Sequence, residues 1–253
     1  MEKQNVEKKH KILSYGMAIF FACLLFIDFL YITLLYSYSD WIAILLFSLL
    51  FIFPAYISNA GMVLVGGGKP IDGGRNWRDG RRIFGDHKTW NGFFKGPLFL
   101  GIPISIAVAF LILIFWPSIA DYQRGSAKEG LFVLYEDISY YKYYFIGGTF
   151  PAGFISLIIR IVLCAYGAAI GDLIGSFLKR RFNLESGAPA PIIDQLDFAF
   201  FAIILTSVPA LFMPELFWIP DIHIIIFLMI LTPSVSVIAN TVAFILGLKD
   251  VPW

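Results

Sequence analysis

The sequence carries little charge and is poor in cysteine and histidine. Only 15% of its 253 residues are charged and 58% are hydrophobic, whereas soluble domains carry ~25% charged residues. The two cysteines and three histidines lack the spacing of a zinc site or a redox motif. No Ser–His–Asp or Cys–His arrangement is present, and the glycine-rich run at 66–70 lacks the spacing of a phosphate-binding Walker loop. These absences exclude a soluble domain, a histidine zinc site and a nucleophilic triad.

Long apolar stretches dominate what is present. A membrane-spanning helix requires ~20 largely apolar residues, and six stretches meet this requirement. The first follows a Lys-rich tail but ends in bulky aromatic residues without a cleavage site, which favours a retained span over a signal peptide. The sequence therefore predicts an all-α, polytopic integral membrane protein with about six transmembrane helices. The predicted spans are 12–36, 41–65, 97–117, 151–175, 196–217 and 222–247.

Basic residues indicate the orientation of these spans. The tail before residue 12, the polar loops 66–95 and 176–195, and Lys249 together hold 15 of the 19 Lys and Arg residues. Cytoplasmic loops are enriched in Lys and Arg, so six spans place both termini and both polar loops in the cytoplasm. The sequence therefore predicts a multi-pass protein of the cell membrane. The tyrosine-rich segment 118–150 is then external, and its tyrosines are predicted to lie at the membrane interface.

The second polar loop begins at a predicted helix end whose polar residues are regularly spaced. Asp172, Ser176 and Lys179 are spaced so that a continuing helix places them on one face, with Arg180 beside them. Asp172 follows a long apolar run, at a depth where an acid without a partner is costly.

Two further acids, Asp194 and Asp197, share a face at the start of the fifth predicted span. Facing helix ends that carry carboxylates could hold Mg²⁺, which prefers one or two carboxylates plus phosphate oxygens. Three acids leave room for two metal ions. The alternative is that both acids only stabilise a helix start, where negative charge is favourable.

The first polar loop combines glycines, acids and bases. Gly66, Gly67 and Gly68 allow backbone N–H groups to approach an anion, and Lys69 adds a positive charge. Arginine pairs bidentately with phosphate. Membrane anchoring and attraction to anionic lipids would explain the basic residues, but not the interleaved acids and glycines. The alternating residues are Asp72, Arg75, Arg78, Asp79, Arg81, Arg82 and Asp86.

Two charges, Asp28 and Arg160, fall inside predicted spans and are functional candidates because charge is costly there. Whether they pair with each other, or whether Arg160 extends to the interface, stays open at this point.

This residue inventory suits nucleotidyl transfer to a lipid phosphate. A lipid phosphate is already an anionic nucleophile, so the reaction requires no nucleophilic side chain. The difficulty is to bring two anions together and to stabilise the pyrophosphate that leaves, which metal ions, Lys and Arg achieve by positioning and charge neutralisation.

Two sets of motifs resemble known membrane CTP-transferases. The run 171–180 and the D-Q-L-D of 194–197 are similar to signatures of bacterial phosphatidate cytidylyltransferases, although Glu185 stands near the place of a family acid. The archaeal branch, the CDP-archaeol synthases, is matched more fully by P-A-Y-x-x-N, G-G-G-x-P-I-D, D-G-R-R, G-D-x-K-T-W and S-F-x-K-R-R…P-x-x-D-Q-L-D-F. These motifs lie at 54–59, 66–72, 79–82, 85–90 and 176–198.

The resemblance implies that CTP and 2,3-di-O-geranylgeranyl-sn-glycerol 1-phosphate, a prenylated glycerol phosphate lipid, give CDP-archaeol in its unsaturated form and pyrophosphate, with Mg²⁺ and without nucleic acid. It also implies a core at 41–253 and an additional tail and first helix at 1–40. The implied metal ligands are Asp172, Asp194 and Asp197, and the implied binders of nucleotide phosphate or pyrophosphate are Lys179 and Arg180. The implied substrate-binding residues are Asn59, Gly66, Gly67, Gly68, Lys69, Pro70, Asp72, Arg81, Arg82, Lys88 and Ser176.

Three other functions remain as alternatives. A cytidylyltransferase for diacyl phosphatidate would carry much the same loops. A transporter would distribute polar groups through several spans, and a non-catalytic lipid-binding protein would not need acids paired with bases. A homodimer is left open.

Overall fold

A computed structural model describes residues 2–184 and 193–246, with side chains described for 12–184 and 196–246. Regular structure in these ranges is helical, apart from two isolated bridges in the first polar loop. The all-α prediction is therefore confirmed. The helices are α1 Glu2–Leu35, α2 Tyr38–Leu64, α3 Trp90–Lys95, α4 Ile102–Lys128, α5 Ile138–Ile146, α6 Ala152–Arg181, α7 Ile193–Ser207 and α8 Ile222–Ile245.

Helical stretches of membrane-spanning length confirm the polytopic prediction. Within the described ranges, five are long and apolar enough to cross a bilayer. One of them runs through α3, a π-helical turn at Gly96–Gly101 and α4 as a single rod. The five stretches are Ile12–Leu35, Tyr38–Leu64, Trp90–Lys128, Ala152–Arg181 and Ile222–Ile245.

The structure does not confirm a sixth full-length span at 196–217. Helix α7 ends at Ser207 and passes into a 3₁₀ turn at Val208–Leu211. Pro209 explains this change, because proline lacks a backbone N–H and disfavours a helical conformation at the residue before it. The apolar part, Leu196–Leu211, is shorter than the ~20 residues that a span requires.

The helices pack around α6, which contacts both α2 and α7, while α1 lies against α8. The main apolar core joins side chains of α2, α5, α7 and α8. Gly96 and Gly101 lie so close to α2 that an added Cβ would collide with Met62 and Ser58. This close approach fixes the α3–α4 rod beside the C-terminal half of α2, from which the first polar loop emerges.

The prediction of an interfacial tyrosine belt is wrong for four tyrosines. Helix α5 folds back over the N-terminal half of α2 and buries its aromatic side chains there. Phe47 of α2 is fully buried and stacks on Tyr144 with ring centroids 4.7 Å apart. Sequence composition does not separate an aromatic belt from an aromatic core. The buried tyrosines are Tyr135, Tyr141, Tyr143 and Tyr144.

The two charges inside predicted spans do not pair with each other. Arg160 is buried, donates from Nη2 to the carbonyl oxygen of Tyr143 at 2.7 Å, and lies 4.0 Å from the centre of that ring. Asp28 accepts a hydrogen bond from Nε1 of Trp41 at 3.2 Å. Each charge is therefore held by an aromatic residue of a neighbouring helix.

The buried carboxylate of Asp40 joins two segments at the end of the molecule opposite the polar loops. Asp40, in the first turn of α2, is fully buried and accepts hydrogen bonds from the backbone N–H groups of Val133, Leu134 and Tyr135 at 2.9–3.1 Å. The hydroxyl of Ser37 donates to the same carboxylate at 2.7 Å. Asp40 thereby ties the segment that follows α4 to the start of α2.

Replacement of Asp40 by Ala should destabilise the protein. It leaves three backbone N–H groups without their acceptor, at about 1–3 kcal/mol for each unsatisfied buried group. We expect the midpoint of thermal unfolding in detergent to fall by roughly 5 °C or more. The control is Asp121→Ala, since the ion pair of Asp121 with Arg124 is exposed. Equal midpoints for the two variants would contradict this role of Asp40.

Candidate functional site

A stripe of glycines on α6 determines where the acids of α7 lie. Gly167, Gly171 and Gly175 recur every fourth residue, and a Cβ at Gly167 or Gly171 would collide with the backbone of α7. A Cβ at Gly175 would instead collide with the carboxylate of Asp197. Asp172 lies three residues before Gly175 on the same helix face. The two helices therefore bring the predicted ligands Asp172 and Asp197 to neighbouring positions.

Asp172 is held by a lysine from the first polar loop. Nζ of Lys88 lies 2.6 Å from Oδ1 and 2.7 Å from Oδ2 of Asp172, and both side chains are about three-quarters buried. The backbone carbonyl of Lys88 also accepts from the N–H of Ile71 at 2.8 Å. This ion pair therefore joins the first polar loop to the polar end of α6.

The first polar loop folds around Asp72, whose side chain is fully buried. Oδ1 accepts from Nη2 of Arg82 at 2.9 Å, and Oδ2 accepts from Nε of Arg82 at 3.2 Å. The backbone N–H groups of Gly74, Phe84 and Gly85 each donate to the same carboxylate at 3.0 Å. Asp72 is thus a structural centre of the loop, with its oxygens already occupied by donors of the protein.

The protonation of Asp72 follows from these contacts. Burial by itself raises the pKa of Asp72, but the hydrogen bonds from Arg82 and the three backbone N–H groups outweigh it and hold the pKa well below its usual range. Stabilisation by a carboxylate of lowered pKa is present above the unfolded value of ~3.9 and is lost as the pH falls through the folded value. The loop therefore keeps this contact through the neutral and mildly acidic range.

Three predicted arginines line one cavity of about 280 Å³ at the polar end of α6. Arg81 and Arg82 come from the first loop, and Arg180, which is buried, comes from α6. Nη1 of Arg81 donates to the carbonyl of Arg181 at 2.8 Å, and Nε of Arg180 donates to that of Phe84 at 3.3 Å. We call this cavity the arginine cavity. Its positive charge and its N–H donors suit the binding of phosphate groups. Its other lining residues are Gly85, Asp86, Asn183 and Leu184.

Arg181 is a residue whose role the sequence prediction missed. Its Nη1 lies 2.9 Å from Oδ1 of Asp79, its Nη2 donates to the carbonyl of Arg82 at 2.6 Å, and its guanidinium lies 4.8 Å from the ring centre of Phe177. It thereby fastens the D-G-R-R segment to α6. The signal in the sequence was the third consecutive base after Lys179 and Arg180, together with an acid in the partner loop.

The remaining predicted residues are distributed around this centre. Lys179 and Ser176 are buried on α6. Gly66, Gly67, Gly68 and Lys69 are exposed at the start of the first loop, and positive φ angles at Gly67 and Gly68 explain glycine there. Gly68 lies against Asn91, and Pro70 pairs with Thr89. The structure shows no hydrogen bond or ion pair between Asn59 and the arginine cavity among the described residues.

The metal-binding prediction concerns residues that the structure describes only in part. The side chain of Asp194 and all of Glu185 lie outside the described residues. Within the described part, no three His, Cys, Asp or Glu side chains form a group that could hold a metal ion. Asp197 lies against Gly175, three residues after Asp172 on α6, and the ion-pair partner of Asp172 is Lys88.

The fold and the site together define a class: a multi-pass membrane protein in which two polar segments bring carboxylates and an arginine cavity together at one end of the helices. The family model of CarS-like CDP-archaeol synthases matches residues 41–135 and 131–253. The chain belongs to the CDP-archaeol synthase family.

Similar proteins cover most of the chain. A CDP-archaeol synthase of Thermococcus kodakarensis is 36% identical over 214 residues, which are 84% of this chain and 99% of the relative. One from Thermococcus onnurineus is 38% identical over 83% of this chain and 97% of its own length. One from Methanosarcina barkeri is 37% identical over 79% of this chain and 99% of its own length. A solved structure of an intramembrane enzyme for archaeal membrane lipid biosynthesis is 26% identical, covers 78% of this chain and 92% of its own, and has a TM-score of 0.45.

The glycine stripe predicts a ranking of substitutions. Gly171→Ala places a methyl group against the backbone of α7, whereas Gly175→Ala meets the side chain of Asp197. We expect Gly171→Ala to lower the thermal unfolding midpoint most and Gly175→Ala less. The control is Gly125→Ala in α4, where an added Cβ meets nothing within 4 Å and where Ala is favoured over Gly by about 1 kcal/mol in a helix. Indistinguishable midpoints for the variants at Gly171 and Gly125 would contradict the close α6–α7 contact.

Proposed function

We propose that this protein is a CDP-archaeol synthase that transfers CMP from CTP to 2,3-di-O-geranylgeranyl-sn-glycerol 1-phosphate, releasing pyrophosphate. The reaction belongs to the synthesis of archaeal ether phospholipids. We place the active site at the cytoplasmic face of the cell membrane, because the basic residues concentrate in the segments at that end.

One observation carries the proposal. In a chain of the CDP-archaeol synthase family, the Lys88–Asp172 ion pair joins the two polar segments at the same end of α6 where the arginine cavity opens. A negatively charged triphosphate requires positive charge at its phosphates. Site and family membership therefore support the same chemistry.

In this proposal the basic residues of the chain bind phosphate groups and the acidic residues bind the metal ion. Arg81, Arg82 and Arg180 would bind the β- and γ-phosphates in the arginine cavity and stabilise the negative charge that develops on pyrophosphate. Asp172 and Asp197 would hold Mg²⁺, which, when bound, would neutralise phosphate charge and orient the α-phosphate. The side chain of Asp194 would complete this set.

The bond changes need no side-chain nucleophile. An oxygen of the lipid phosphate attacks the α-phosphorus of CTP, the bond from that phosphorus to the bridging oxygen of the β-phosphate breaks, and pyrophosphate carries the electron pair away. Both reactants are anions, so their approach depends on the basic residues around them. The lipid chains would remain among the apolar helices while the phosphate reaches the polar end of α6.

The test of this proposal uses the full chain in detergent with CTP, Mg²⁺ and the prenylated ether lipid phosphate. We expect lipid-dependent pyrophosphate release, and we expect Asp172→Asn or Asp197→Asn to lower kcat by about 100-fold or more, the scale for loss of a transition-state contact. Asp121→Asn is the control, because Asp121 lies on the exposed surface of α4. No lipid-dependent release by the wild-type protein would reject the activity.

The nearest alternative is the same transfer to diacyl phosphatidate. An assay with the ether and ester lipid phosphates side by side, at equal concentrations, distinguishes the two. A higher kcat/KM for the diacyl lipid would replace the proposed substrate without altering the proposed chemistry.

The Lys88–Asp172 contact yields a separate prediction about metal binding. The Lys88 ammonium occupies both oxygens of Asp172, so a divalent ion at Asp172 must compete with it. We expect Lys88→Met to bind Mn²⁺ more tightly than the wild type without CTP, by about tenfold for 1.4 kcal/mol of lost competition. The same variant should show a lower kcat/KM for CTP, because a phosphate-binding charge is removed.

Electron paramagnetic resonance of free Mn²⁺ measures the first effect. Lys95→Met is the control, since Lys95 is an exposed lysine of the same segment. Equal or weaker Mn²⁺ binding by Lys88→Met would show that Asp172 is not the ligand for which Lys88 competes.

A further inference from the structure

A short hairpin of the first polar loop carries two of the three arginines that line the arginine cavity. The hairpin covers residues 76–82, and the N–H of Trp77 donates to the carbonyl of Arg81 across it at 2.7 Å. Arg81 and Arg82 lie on its second arm and line the cavity. The position of this hairpin against α6 therefore determines where two positive charges of the cavity lie.

The guanidinium of Arg181 contacts this hairpin on both sides of Arg81. Its Nη1 lies 2.9 Å from Oδ1 of Asp79, and that same oxygen accepts from the backbone N–H of Arg81 at 3.1 Å. Its Nη2 donates to the backbone carbonyl of Arg82 at 2.6 Å. One planar group therefore fixes the main chain before and after Arg81, which the fork of an arginine can do and the single ammonium group of a lysine cannot.

The contact between Arg181 and the hairpin is reciprocal and includes aromatic packing on α6. Nη1 of Arg81 donates to the carbonyl of Arg181 at 2.8 Å, at the helix end where carbonyl groups carry partial negative charge. The Arg181 guanidinium lies 4.8 Å from the ring centre of Phe177, one turn earlier on α6. The ring of Trp77 meets Phe177 edge to face, with ring centroids 5.4 Å apart. These contacts orient the Arg181 side chain towards the hairpin.

The contacts of Arg181 point to an indirect role in phosphate binding. Its two terminal nitrogens contact Asp79 and the carbonyl of Arg82, and its side chain is about four-fifths buried. The described residues that line the arginine cavity include the neighbouring Arg180 but not Arg181. An effect of Arg181 on phosphate binding therefore passes through the hairpin.

We propose that Arg181 is a positioning residue for polyphosphate binding, which acts with Asp79 through the hairpin that carries Arg81 and Arg82. An arginine that is fixed before the phosphates arrive loses less conformational freedom when it binds them. The inference rests on the proposed function, because it takes the arginine cavity as the site of the β- and γ-phosphates. It assigns part of the affinity for those phosphates to a pair of residues that do not touch them.

The binding test is calorimetry of the full chain in detergent with inorganic pyrophosphate, which requires neither lipid nor turnover. We expect Arg181→Lys to weaken pyrophosphate binding by about tenfold, the scale for two side chains that must be ordered during binding. Lysine keeps the positive charge but not the fork, so a purely electrostatic role would leave the affinity nearly unchanged. The matched control is Arg124→Lys, since Arg124 also pairs with an aspartate but is exposed on α4.

Substitutions of Asp79 separate geometry from charge. Asp79→Asn keeps an oxygen that can accept from Arg181 and from the N–H of Arg81, so we expect pyrophosphate affinity within about twofold of the wild type, as for loss of charge in a partly exposed ion pair. Asp79→Ala removes that oxygen and should weaken binding about as much as Arg181→Lys. The thermal unfolding midpoint of each variant verifies that a loss of affinity does not come from unfolding.

The enzymatic assay provides a second readout, because the arginine cavity is assigned to CTP and not to the lipid. We expect Arg181→Lys to raise KM for CTP by about tenfold and to leave KM for the lipid phosphate within about twofold, since only the binding of CTP is weakened. A merely structural role would change both KM values together, or neither, as the unfolding midpoint falls.

Three results would overturn the inference. Equal pyrophosphate affinity in the wild type and in folded Arg181→Lys would reject it and leave the proposed function intact. A loss of affinity in Arg181→Lys that Asp79→Ala does not share would reject the joint action of the two residues. Absence of pyrophosphate binding by the wild type would overturn it together with the role proposed for the arginine cavity.

Discussion

The close contact between α6 and α7 is the constraint on which the charged site depends. Because glycine occupies every fourth position of the α6 stripe, α7 lies against the backbone of its neighbour and Asp197 reaches the turn that carries Asp172. Small residues at such spacing are the usual means of close helix contact in membranes. A larger side chain in the stripe would move a carboxylate as well as a helix, so packing and chemistry are coupled at this point.

The first polar loop completes the site from the other side. Asp72 organises the loop internally. Side-chain contacts hold the loop against α6, among them the ion pairs Lys88–Asp172 and Arg181–Asp79 and the hydrogen bond from Arg81 to the carbonyl of Arg181. Acids thus serve two purposes here. Asp72 accepts from Arg82 and from three backbone N–H groups, whereas Asp172 accepts from the ammonium group of Lys88.

Local spacing predicted the helical face of Asp172, Ser176 and Lys179, and motif resemblance predicted the family. Contacts across the chain were beyond the sequence alone, because Lys88 and Asp172 are 84 residues apart and are separated by α3, α4 and α5. The position of Lys88 also depends on the path of the first polar loop, which turns at glycines with positive φ. The hydropathy of the sequence also predicted a span that continues past Ser207. Hydropathy depends only on how apolar the residues are, and it does not include the backbone restriction that Pro209 imposes. The buried tyrosines show the same limit, because a tyrosine-rich segment has the same composition whether its side chains form an interfacial belt or an aromatic core.

The most direct test is an experimental structure of the full chain with CTP and Mg²⁺. We expect the triphosphate in the arginine cavity, with its α-phosphate towards Asp172 and Asp197 and with Lys88 released from Asp172. Density for CTP away from the polar end of α6, or Asp172 and Asp197 on opposite sides of the bound nucleotide's phosphates with no metal between them, would contradict this arrangement.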